Sequence, residues 1–162
     1  MNRECLHIVI HCSATPEGRH VTVNEIDRWH KARGFRMIGY HEVIYLDGSV
    51  HGGRPLDDDH LIEPNERGAH VASLNSFSVG LCYIGGMDAA NKRSKNTLTE
   101  AQDRALLREV NKLLVQFPKS KLSGHNQHDV KACPSFDVRQ WAKDRGIPED
   151  RILQKALKVR LR

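Results

Sequence analysis

The sequence predicts an α/β fold: a mixed central β-sheet flanked by helices. Two short apolar runs, Leu6 to His11 and Val79 to Ile84, are rich in β-branched residues and read as buried strands. Capped stretches of helical spacing alternate with them, which layers helices on a sheet. Between them, Asp47-Gly48 is a hairpin signal, so one pair of strands is antiparallel and the sheet is mixed.

The elements follow in order. After the first strand, Cys12 to Gly18 reads as a loop. Thr22 and Glu25 have the spacing of a capping box, so a helix starts near Val23. Ile26, Trp29 and Arg33 fall on one face of it, and Gly34 ends it. Tyr40 to Leu46 and Ser49 to His51 form the hairpin, closed by a two-residue turn. Gly52 to Pro55 and the run Asp57-Asp58-Asp59 are loop. Gly85-Gly86 closes the second buried strand. Thr97 or Thr99 caps a long helix in which Leu106, Val110, Leu113, Leu114 and Phe117 recur at helical spacing, and Pro118 stops it. Leu122 to His125 is a short strand running into a loop. Asp137 caps a helix with Val138 and Trp141 that ends at Gly146, and Pro148 opens a last amphipathic helix through Leu161.

With 162 residues the chain suits one domain, expected over residues 1–146, followed by a basic helical tail over residues 147–162. The net charge of +5 is uneven. Residues 119–162 hold 11 Lys+Arg against five Asp+Glu, and residues 1–118 hold 14 against 15. A basic C-terminal part suits a polyanion such as nucleic acid, anionic membrane or cell wall, or is a solvated face. There is no apolar run of transmembrane length, and Met1 to His7 lacks a signal-peptide pattern, so a cytoplasmic location is expected. The four Cys lie far apart with no CxxC, which is not a disulfide framework.

Two histidines stand at strand ends, where α/β folds place sites: His11 before Cys12-Ser13, and His125 after Gly124. Cys133 follows in Lys131-Ala132-Cys133-Pro134. Two imidazoles and a thiolate make a three-ligand zinc set with a fourth position open to water, the catalytic type of site. Spacing leaves His128 in competition with His125, and Cys12 or Cys82 in competition with Cys133. Lys131 sits two residues before Cys133, so in an extended segment both face the same side, and its ammonium could stabilise an oxyanion. Tyr40 could hydrogen-bond the same centre.

These residues, with Asp27-Arg28-Trp29-His30-Lys31, Gly39-Tyr40-His41, Asn75 to Cys82 and Lys131 to Asp137, resemble the zinc-dependent amidase family. That family includes the lysozyme of T-odd phages and the peptidoglycan recognition proteins. The resemblance covers roughly residues 7–146, and the segments around Ile10 to Thr15 and Lys131 to Asp137 point to the phage branch. It implies an N-acetylmuramoyl-L-alanine amidase that hydrolyses the amide between N-acetylmuramic acid and L-alanine in peptidoglycan, as a phage or prophage endolysin. It implies one Zn2+ held by His11, His125 and Cys133, with Tyr40 and Lys131 catalytic. It implies His70, Arg54 and Asn75 as substrate-binding positions. Asn126 to Val130 departs from the phage pattern, in which a Glu follows soon after the ligand His.

Two other functions remain open at this stage. Family members that only bind peptidoglycan tend to lack the ligand Cys, and Cys133 is present here. The phage lysozyme also binds its phage's RNA polymerase, which makes such a polymerase a further candidate partner. A monomer is expected. An endolysin without a signal would reach the wall through a membrane pore or on lysis.

Overall fold

The computed structural model describes residues 1–161, so Arg162, the end of the expected tail, lies outside the described residues. In chain order the strands are β1 (Arg3–Glu4), β2 (His7–Cys12), β3 (Thr15–Pro16), β4 (Glu42–Ile44), β5 (Val50–Gly52), β6 (Leu61–Ile62), β7 (Ser78–Tyr83), β8 (Gly86–Met87) and β9 (Lys121–Gly124). The helices are α1 (Val23–Ala32), α2 (Glu100–Gln116) and α3 (Val138–Asp144), among the described residues.

The central sheet has the order β5-β4-β7-β2-β9. β4 pairs antiparallel with β5, and the other neighbours are parallel, so the sheet is mixed as expected. Side-chain alternation gives it two different faces. Ile8, Ile10, Val79, Leu81 and Tyr83 pack with Leu106, Val110 and Leu113 of α2 and Trp141 of α3. On the other face, Val43 and Cys82 pack with Ile26 of α1, Val21, Ile38 and Ile84. His11 lies one residue out of phase with Ile8 and Ile10. It therefore points to the α1 face at the C-terminal end of β2.

The helix starts match the capping chemistry. Thr22 accepts from the Glu25 N–H while the Glu25 carboxylate accepts from the Thr22 N–H. Thr99, rather than Thr97, caps α2 with Gln102 as its reciprocal partner, and Asp137 caps α3. The Thr97 hydroxyl instead accepts from the Gly86 N–H.

Two expectations are corrected. The hairpin closes through three residues, Leu46 to Gly48, rather than two. Gly48 donates to the Tyr45 carbonyl, Tyr45 donates to the Ser49 carbonyl, and Gly48 adopts φ +84°. That is a turn followed by a left-handed glycine, the bulged alternative to a two-residue loop. The strands are also shorter than the apolar run suggested.

The second correction concerns the tail. Residues 149–151 make a single 3-10 turn, and the segment after it runs extended rather than as a helix. Pro148 holds ψ at 139°, which does not feed a helix. Ile152 instead bridges to Leu122, is 1 % exposed, and the Leu153 N–H donates to the Leu122 carbonyl. An isolated helix of this length is marginal in water, and the sheet-edge bonds and the burial of Ile152 outweigh it. No helix among the described residues is long and apolar enough to cross a membrane.

Candidate metal centre and cleft

The parallel register sets Ile10 beside Gly124 and His11 beside Cys82, so the ends of β2 and β9 bring His11 and His125 together. Their ring centroids are 4.7 Å apart. The loop after β9 returns Cys133 to the same place, with its Sγ 3.8 Å from His11 Nδ1. One donor atom from each of His11, His125 and Cys133 lies within 4.8 Å of the others.

The neighbours orient these donors. His11 Nε2 lies 2.8 Å from His70 Nδ1, and His70 Nε2 lies 3.1 Å from Ser78 Oγ. His125 Nε2 lies 3.2 Å from Asp129 Oδ2. Each candidate ligand imidazole thus has one nitrogen tied to an outer partner, leaving Nδ1 for the centre. Histidines that ligate metals are held in this way. The Cys12 N–H donates to Cys133 Sγ at 3.2 Å, a contact that favours thiolate.

Electrostatics agree with the donor set. Burial, followed by the neighbouring imidazoles, holds His11 well below the usual histidine range, so it is neutral at pH 7. Burial lowers His125 too, with Asp129 opposing it. Burial pushes the Cys133 thiol well up, and the Cys12 thiol adds to this. A cation at this point would reverse that cost, since metal ligands bind as thiolate and neutral imidazole. The residues present therefore fit a divalent metal, and an N2S set suits zinc.

The donors lie beside a cavity of about 350 Å³ bordered by His30, Tyr40, His70, Asn75, His125 and Lys131, with Arg33, Phe35 and Asp129 on its rim. Tyr40 packs on the His11 ring, centroids 5.0 Å apart, and burial pushes its phenol well above the usual range. It stays protonated at neutral pH and can donate. Lys131 reaches the same cavity by a different route from the one expected. The chain bends there, with the Lys131 N–H bonded to the Asp129 carbonyl, rather than running extended.

The competing residues stay outside the donor group. His128 bonds Ser123 Oγ at 2.8 Å and packs on His7. Cys12 packs in the α2-side core with its thiol against that of Cys133 but is not one of the grouped donors, and Cys82 lies in the α1-side core. Of the expected substrate residues, His70 borders the cavity but is also the direct support of His11. Asn75 borders it too, while its Oδ1 accepts from the backbone N–H groups of His70 and Val71. Arg54 does not border this cavity. It is buried, and its guanidinium donates to the carbonyls of Ile38, Arg67 and Met37. Those carbonyls satisfy the guanidinium and fix the loop that leads into Tyr40.

Sequence reasoning missed His30, Phe35, Ser78 and Asp129 as parts of the site. His30 accepts from the Gly39 N–H through Nδ1 and packs on Tyr40. Its place on the inner face of α1, four residues after Ile26, was the available signal. Ser78 carried none, since its role depends on which strand lies beneath His70.

Comparison with known proteins gives a consistent picture. The family model described as N-acetylmuramoyl-L-alanine amidase matches residues 1–136. The endolysin of Klebsiella phage KP32 is 42% identical over 139 residues, 86% of each chain. The endolysin of Escherichia phage T7 is 37% identical over 145 residues, 89% of this chain and 90% of that one. Among solved structures, the amidase LysC from Clostridium intestinale superposes with a TM-score of 0.71 at 23% identity, covering 90% of this chain and 88% of that one.

Proposed function

The chain belongs to the N-acetylmuramoyl-L-alanine amidase family, and from that premise we propose that it is a zinc-dependent endolysin cutting the amide between N-acetylmuramic acid and L-alanine in peptidoglycan. The observation that carries this reading is the meeting of His11, His125 and Cys133 donors within 4.8 Å beside an open cavity. A chain that only bound wall fragments would have no need of the ligand thiol.

His11, His125 and Cys133 would hold the ion. Zinc, when bound, supplies Lewis acidity and activates water near neutral pH. The protein's own residues do the rest. His70 and Asp129 fix the two ligand imidazoles. The cavity admits the glycopeptide between the 70–75 loop and the 129–131 loop. Lys131 brings an ammonium, and Tyr40 a phenol that stays protonated, to the side of the centre where charge develops on the scissile carbonyl oxygen. Preorganised donors of this kind stabilise the oxyanion more than the ground state.

The direct test is clearing of purified peptidoglycan by the protein, with and without a chelator, followed by mass spectrometry of the products. The expected result is chelator-sensitive release of peptides with a free N-terminal alanine. Binding to the wall with no bond cut would assign the chain to a binding role instead.

A further inference from the structure

The C-terminal segment beyond the matched family region makes an unusual set of bonds to the loop that carries His125. Gln127 is wholly buried, and its side chain is fully employed. Its Oε1 accepts from the Gly124 N–H, and its Nε2 donates to the carbonyls of Leu153 and Lys155 at 2.9 and 2.7 Å. Asn126 is equally buried. Its Nδ2 donates to the carbonyls of Ala132 and Phe136, which bracket Cys133. Its own carbonyl accepts from the Lys158 N–H at 2.8 Å.

From this geometry we propose that residues 152–158 form a strap that sets the metal-ligand loop, with Asn126 and Gln127 as the positioning residues through which it acts. The proposal rests on the metal-centre reading given above for its effect on affinity, and on the hydrogen bonds alone for its effect on the loop. Gln127 joins the strap to Gly124, immediately before His125. Asn126 joins it to both sides of Cys133. Through these two residues the strap is linked to backbone groups that flank both candidate ligands, Gly124 before His125 and Ala132 and Phe136 around Cys133. The β-bridge of Ile152 to Leu122 and the bond from Leu153 anchor one end at the sheet edge. The bond from Lys158 secures the other. Without the strap, a buried amide would lose both of its acceptors. Water or a shifted loop would then have to supply them.

The test uses the full chain, a chain ending at Pro148, and Lys158→Pro, which removes one backbone donor from an exposed residue. Zinc affinity is read by competition with a chromophoric chelator. Hydrogen exchange at residues 124–136 is read on the metal-free proteins, with the β2 and β7 amides as internal reference. The truncated chain is expected to bind zinc at least about tenfold more weakly, within the range for loss of outer support around a metal. Its 124–136 amides should exchange at least about tenfold faster while those of β2 and β7 hold. Lys158→Pro should move both readouts the same way by less, with the thermal midpoint of the metal-free protein unchanged. Unchanged exchange at 124–136 in the truncated chain overturns the strap. If the full chain takes up no zinc, the metal-centre reading fails, and the exchange comparison still decides the strap.

Discussion

At His11 the two ring nitrogens face different tasks. Nδ1 faces Cys133, while Nε2 is bound to His70, and His70 is in turn bound to Ser78. With Nδ1 given to a metal, the Nε2–H donates to His70 and fixes its tautomer, so Ser78 receives the last proton of the chain. Lys131 has the opposite character: it is exposed at the rim of the cavity and lies outside this network. Lys131→Ala should therefore keep the metal and lose most of the turnover. Loss of one oxyanion donor costs about 3–4 kcal/mol in the barrier, a hundredfold to a thousandfold in kcat. Metal-replete Lys131→Ala with wild-type kcat would remove that role. Two histidines at strand ends and a Cys beside a Lys were legible as a candidate zinc set. Spacing left His128, Cys12 and Cys82 in competition, the family resemblance pointed to His125 and Cys133, and the fold groups those two with His11. Arg54 came from the family resemblance alone, and nothing in the local sequence shows that its guanidinium is held by three carbonyls.

At the scale of elements, β7 shows how a strand makes room for the site. Its outer residues Val79, Leu81 and Tyr83 fill the α2 side, while Ser78 and Gly80 face the cavity side. Gly80 lets the His70 ring lie flat on the strand, since a Cβ there would stand 2.7 Å from the ring. Gly80→Ala should push His70 away from His11 and weaken zinc binding by roughly 10–100-fold, the usual cost of losing an outer-shell partner. Chelator competition checks this, and an unchanged affinity would mean that His70 does not support His11. Element starts were legible because Thr22, Thr99 and Asp137 carry their capping chemistry in the local sequence. The tail was not legible. Its amphipathic pattern allowed a helix, and what decided against it was Leu122 and Gln127, about 30 residues earlier in the chain, offering partners that only the folded molecule brings near.

Over the whole molecule the sheet separates a packing face from a working face, and charge follows that division imperfectly. Glu42 in β4 turns towards Glu109 of α2, with one carboxylate oxygen left without a partner and Lys112 4.0 Å away. Burial first, and then Glu109, pushes the Glu42 carboxyl up to about 8 from 4.5. The folded state therefore holds this proton more tightly than the unfolded chain. The stability it contributes is complete below pH 4.5 and is lost as pH rises towards about 8. Glu42→Gln should flatten that decline and raise Tm at pH 8, by roughly 2–4 °C for each kcal/mol relieved in a chain of this size. Parallel pH series of thermal unfolding check it, and matching slopes for the two proteins would show that Glu42 titrates normally. The fold class and the mixed sheet were readable from strand-like runs and one hairpin signal. Which face each helix covers required the register of β2 against β7 and β9.

The central claim is that three side chains distant in sequence meet as one metal site. Metal analysis of the purified protein, paired with Cys133→Ser, tests it most directly. The account predicts one zinc ion per wild-type chain and its loss in Cys133→Ser, with the fold of the variant intact by circular dichroism. A wild-type protein that takes up no zinc from buffered solution, or a Cys133→Ser variant that holds zinc as tightly as the wild type, would contradict it.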